Sequence, residues 1–191
     1  MKRYIVITMC ALFAVACGGV GGSGTSLAIK SGDKSISFSG KVGATELGNV
    51  ISTTPGQPNL QTSSHRIYLA NYEMDTTNVG TMRKPLTSAD QIRVEIGITG
   101  EAATNEKSPF KVGTYTVTND KINDVRALLV TTYADGKESK IDFDTMSSMS
   151  KMTGEVKITA VTDDSITGTI DITEGDKSVK GSFTAKIGAK K

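Results

Sequence analysis

The 191-residue sequence has no tryptophan, one histidine, two cysteines and four prolines, and only 5% of it is aromatic. One imidazole and two thiols are too few for a histidine-based metal cage, a zinc ribbon or a disulfide scaffold. Also missing are GxSxG, a Walker A motif, a dinucleotide fingerprint and HExxH, the short patterns that carry nucleophilic, phosphate-binding or metalloprotease chemistry. No charge of one sign dominates. Lys and Arg total 22 against 20 Asp and Glu, and without the N-terminal Lys2 and Arg3 the two balance. A neutral chain has no electrostatic footprint for nucleic acid. After residue 16 no run of apolar residues is long enough for a membrane-spanning helix.

Threonine (25 residues) and glycine (20 residues) are abundant, and 37% of the chain is hydrophobic. That is enough apolar mass for a folded core, and the length suits one domain. Apolar residues recur at period two, the spacing of a half-buried strand, and not at 3.6. Ile36, Phe38, Gly40 and Val42 share one face of 35–42; Ile92, Val94, Ile96 and Ile98 share one face of 91–99. Segment 66–74 is apolar on both faces, which places it centrally or under a loop. Short strands are predicted over 115–118, 125–133 and 139–143, with Asp135-Gly136 as a hairpin signal between the last two.

The final forty residues predict a three-strand meander over 155–161, 166–172 and 179–187, turning at Asp163-Asp164 and at Glu174-Gly175-Asp176. Connections this short permit only antiparallel pairing. Gly168 and Gly181 stand at core-facing positions, two residues before Ile170 and Phe183, and suggest curvature there. The fold class that follows is all-β: an antiparallel β-sandwich or small β-barrel with at most two short helical turns, over 87–90 and 120–125. Segments 43–64 and 100–109 read as long loops.

The N-terminus has a different character. Met1-Lys2-Arg3 is a short basic start, and 4–16 is uncharged and largely apolar. Thirteen residues span about 20 Å as a helix, short of a bilayer core of roughly 30 Å, so the pattern is that of a secretory signal. The segment closes Phe13-Ala14-Val15-Ala16-Cys17-Gly18. Ala14-x-Ala16 also fits an ordinary signal peptide cut after Ala16. With Cys17 where the apolar run ends, the stretch resembles the lipobox of bacterial lipoproteins, although Ala14 replaces the commoner Leu. The resemblance implies cleavage before Cys17, acylation of its sulfur, and an outer-membrane destination, since Gly18 is not the Asp of inner-membrane retention. Cys10 is removed with the signal. Gly18–Ser26 reads as a flexible tether of roughly 15–18 Å, giving segments 1–16 (signal), 17–26 (lipidated Cys17 and tether) and 27–191 (β domain).

Few side chains offer chemistry. His65 lies beside Ser63 and Ser64, yet no acidic partner or nucleophile elbow accompanies it, and it reads as a surface residue at a loop–strand junction. Met146, Met149 and Met152 are spaced by three; thioethers select Cu(I), but packing explains them better. Asp142 with Asp144, and Asp163 with Asp164, lack calcium-loop spacing. PFKVGTYTV at 109–117, with the meander at 154–187, is similar to small β-rich envelope lipoproteins of uncharacterised function, and implies a β-sandwich or barrel without an active site. The sequence thus predicts no catalytic residue, no metal and no cofactor. It predicts a monomer held to the membrane through Cys17, acting as a non-catalytic binding module for an envelope protein, a glycan or an apolar ligand, or else as a structural accessory of an envelope complex.

Overall fold

The computed structural model describes residues 24–118, 120–143 and 152–188. Its eleven strands are β1 (Thr25–Ser31), β2 (Lys34–Gly40), β3 (Val42–Ser52), β4 (Leu60–Ala70), β5 (Ile92–Ala102), β6 (Gly113–Thr116), β7 (Val125–Ala134), β8 (Lys137–Phe143), β9 (Met152–Val161), β10 (Ser165–Glu174) and β11 (Lys177–Lys186). One short helix, α1 (Val79–Met82), is capped by Asn78, whose side chain accepts from the Gly80 N–H.

Strands follow the hydrogen-bonded order β6-β9-β10-β11-β3-β4-β5-β7-β8, and β1 lies between β11 and β2. The sheet is not closed into a barrel. It folds into two halves, and the sandwich-like alternative holds. One half carries the predicted meander, in the predicted antiparallel order. The other is the run β3-β4-β5-β7-β8. They meet at one parallel pair, Lys186 with Ala44, where the Gly188 N–H donates to Thr45 Oγ1 at 3.1 Å. Val156, Ile158, Ile170 and Phe183 from the first half interleave with Ile67, Leu69, Ile96 and Leu128 from the second in a common core. The Asp135-Gly136 turn has positive φ at both residues (52° and 75°), the backbone a type I′ hairpin requires.

Segment 43–64 is not a loop. Val42–Ser52 and Leu60–Ala70 pair along their whole length, from Val42–Ala70 to Ser52–Leu60, and only residues between them form the turn. In the distal part of this hairpin Val50 and Ile51 are adjacent and point to opposite faces, and Ile51 is exposed, so it lacks the one-sided apolar alternation by which strands are recognised. Both expected helical turns are absent: 87–90 is a turn closed by Gln91 N–H to Ser88 O (3.0 Å), and Lys121 and Asn123 have positive φ, which a helix excludes. Thr25 and Ser26, read as the end of the tether, are the first residues of β1 and pair with Gly40 and Ser182 respectively.

β4 is apolar on both faces because both are covered. It is hydrogen-bonded between β3 and β5. Its inner face joins the core, and Tyr68 on its outer face packs with Ala44, Met82 and Met74 beneath segment 71–91. That segment is pinned by Arg83, whose Nε donates to the Tyr68 hydroxyl (2.9 Å) and whose Nη2 bonds Glu46 Oε2 (2.6 Å). Tyr68 also donates to Glu46 (3.0 Å).

Candidate functional site

Side chains alternate along β4, so Ser63 and His65 stand in the same inward row as Ile67 and Leu69. His65 is therefore not a surface residue: it is 1% exposed, in mid-strand. The expectation failed because the strand was started at Arg66, one residue too late for His65 to count. Extending the Ile67–Leu69 period backwards by two steps is the signal that finds both residues.

The row turns polar where the core ends, and a loop covers it. Phe110 lies against the imidazole, with ring centroids 4.1 Å apart and planes tilted by 42°. His65 Nε2 is 2.9 Å from Ser63 Oγ, and Ser63 Oγ is 3.2 Å from Thr104 Oγ1. Thr104 in turn donates to the Glu101 carbonyl (2.6 Å) and accepts from the Ser63 N–H (2.8 Å). The Thr104 hydroxyl thus faces two acceptors, the Glu101 carbonyl and Ser63 Oγ, and which of His65 and Ser63 donates to the other is set by the imidazole tautomer. His65 Nδ1 is buried with no partner among the described residues, which favours the tautomer with its proton on Nε2, toward Ser63 Oγ, and Nδ1 as a bare lone pair. A buried bare acceptor is less costly than a buried N–H without an acceptor. Burial pushes the His65 pKa down to about 4, so the ring is neutral near pH 7.

A serine nucleophile needs the reverse order: the imidazole must accept the serine proton while a carboxylate holds its other nitrogen. Here Nδ1 lacks a carboxylate, and Ser63 Oγ occupies the space a Cβ would take at Gly100. Gly100 sits in a bulge, because two residues of β5 (Gly100 and Glu101, between Thr99 and Ala102) lie opposite one of β4 (Ser63, between Thr62 and Ser64). Around this row opens a cleft of about 150 Å³, lined among others by Glu101, Thr104, Lys111, Tyr115 and Asn123. Glu101 and Lys111 form an exposed ion pair at 2.5 Å. Tyr115 donates to the Lys111 carbonyl at 3.3 Å, and burial raises its pKa. A second groove of about 240 Å³ runs between Glu46, Asn49, Ser64 and Arg66.

The other candidate residues are not drawn into this site. Met152 is buried in the core at the start of β9. Asp142 is exposed on β8, and Asp163 and Asp164 are exposed in the β9–β10 turn. Cys10, Cys17, Asp144, Met146 and Met149 lie outside the described residues. Among the described residues no three His, Cys, Asp or Glu side chains are grouped to hold a metal. Comparison with protein-family models, with curated proteins and with solved structures finds no match to this chain.

Proposed function

We propose that this chain is a lipoprotein of the bacterial envelope, anchored through Cys17 to the outer membrane, whose β domain is a non-catalytic binding module. The signal-like segment 1–16, Cys17 at its end and the glycine-rich stretch after it support the anchor. Two or more acyl chains give the stable attachment that one chain does not.

The observation that carries the binding mode is the closed interior. Side chains of both halves fill the space between them, and the two clefts, of about 150 and 240 Å³, fall below the roughly 300–1,000 Å³ of a small-molecule pocket. A surface contact with an envelope protein or glycan fits this shape better than an enclosed apolar ligand. Ser63 and His65 then act as a buried polar brace for the connection between β5 and β6, residues 103–112.

Mass spectrometry of the mature N-terminus tests the anchor: a thioether-linked diacylglycerol on Cys17 is expected. Cys17→Ser should abolish acylation and membrane retention, and Cys10→Ser should change neither. An unmodified Cys17, or cleavage elsewhere, refutes it. For the binding mode, titration with envelope proteins and glycans should perturb surface amides while leaving those of Ile96, Leu128 and Ile158 in place. A ligand that shifts the interior amides instead refutes surface binding.

A further inference from the structure

Three strands stand at the limits of the hydrogen-bonded order: β6, β8 and β2. β6 has only four residues, and β8 carries Lys137, Glu138, Lys140 and Asp142. Shortness and charge are two devices by which sheet edges resist further pairing. β2 has neither. It runs seven residues, KSISFSG, with Lys34 its only charge, no proline, and an unbroken register against β1.

The phase of its hydrogen bonds follows from the hairpin. Only Gly32 and Asp33 separate Ser31 from its mate Lys34, so this two-residue turn makes Ser31–Lys34 a hydrogen-bonded pair. Hydrogen-bonded and non-hydrogen-bonded pairs alternate along an antiparallel ladder. Lys34, Ile36, Phe38 and Gly40 therefore bond β1, and Ser35, Ser37 and Ser39 direct their N–H and C=O groups to the open edge. On that side these three have no partner among the described residues. Their side chains are exposed, whereas Phe38 is buried and Ile36 partly buried on the core face. Residues 35–39 read Ser-Ile-Ser-Phe-Ser, a polar–apolar palindrome centred on Ser37.

We propose that β2 is a self-pairing edge, through which two copies of this chain join antiparallel about a two-fold axis at Ser37. In this register Ser37 faces its own mate and Ser35 faces the partner's Ser39, giving about six backbone hydrogen bonds, two per pair. Ile36 lies opposite the partner's Phe38, which carries the apolar core face across the seam. Lys34 lies opposite the partner's Gly40, so the two ammonium groups are kept about 20 Å apart. A two-fold interface must be self-complementary, and this strand is so in hydrogen bonding, apolar pattern and charge. The inference departs from the monomer expected of the sequence. It identifies a second copy as one protein partner of the surface-binding reading but does not depend on Cys17.

Position-specific cross-linking tests it. The full chain with Cys10→Ser and Cys17→Ser has no thiol, and single cysteines at the exposed positions 35, 37 and 39 leave the core intact. Under mild oxidation Ser37→Cys should give disulfide dimers more than about tenfold above Ser35→Cys or Ser39→Cys alone, whose mates would stand about 14 Å apart, beyond the roughly 7 Å limit of a disulfide. An equimolar mixture of Ser35→Cys and Ser39→Cys should recover the dimer. Equal yields at all three positions, a maximum away from 37, no cross-link at any position, or a mixture no better than its components would each overturn the proposal.

Discussion

Phe183 and Gly168 face each other across β10 and β11, as do Gly181 and Ile170, so each glycine gives room to a large side chain on the next strand. A Cβ on Gly168 would stand 2.7 Å from the Phe183 ring. Phe183→Ala should cost about 3–5 kcal/mol, a large part of a stability of about 5–15 kcal/mol. Gly181→Val should cost at least about 1–3 kcal/mol, and the cause is backbone: φ is +145° and a Cβ would run into the Ser26 carbonyl of β1. Exposed Ser182→Ala should stay within about 0.5 kcal/mol; urea midpoints rank the three. His65 sets a pH dependence. Its folded pKa, about 4, lies below the ordinary 6.5, so between these values the unfolded chain binds a proton that the folded chain does not. Stability is full above pH 6.5 and falls as pH drops to about 4, by about 3 kcal/mol for a shift of this size. His65→Leu should flatten that part of the profile, and an unchanged slope between pH 6.5 and 4 would refute it.

At the scale of elements, segment 71–91 is held to the sheet by the polar contacts of Arg83 as well as by Met82 and Met74. Arg83 is half exposed, so its ion pair with Glu46 adds little global stability, about 0–1 kcal/mol. Its two bonds nevertheless join α1 to β3 and β4. Arg83→Ala should shift the urea midpoint slightly while speeding amide hydrogen exchange over 74–86 by about fivefold per kcal/mol of local stability lost. Exchange unchanged in that segment would mean that Met82 and Met74, not the polar contacts, hold it. Element positions were legible where one face is buried and the other wet. β8 and the meander alternate in that way. β5 was legible from the alternation of Ile92, Val94, Ile96 and Ile98 with Arg93 and Glu95, although both of its faces are covered. Asp135-Gly136 marks a turn by its own backbone preference. β3 was not legible, because its outer half has no one-sided apolar pattern (Val50 and Ile51 are adjacent and point to opposite faces, and Ile51 is exposed), and it is held by pairing with β4 over 42–70.

For the whole molecule the joint between the halves is decisive. Gly43 packs against Thr184 and Ala185 of β11 so closely that a Cβ would overlap the Thr184 carbonyl. Gly43→Val should therefore destabilise both halves together, by about 1–3 kcal/mol or more, in one cooperative urea transition. Two separated transitions would show the halves to be independent. Nothing in the sequence singles out Gly43, because the atoms it must admit come from residues about 140 positions away.

By itself the sequence determined the all-β class, the inward face of most strands, the C-terminal meander and the shortage of catalytic groups. These follow from period two, turn chemistry and composition, which act over a few residues. Only the tertiary structure decided that His65 is buried, that Val42–Ala70 is a long hairpin, that the sheet stays open, and that β2 lies at an edge while β4 lies in the middle. Each of these depends on which strands become neighbours. That is settled by burial and hydrogen bonding between distant segments, for which a local pattern holds no record.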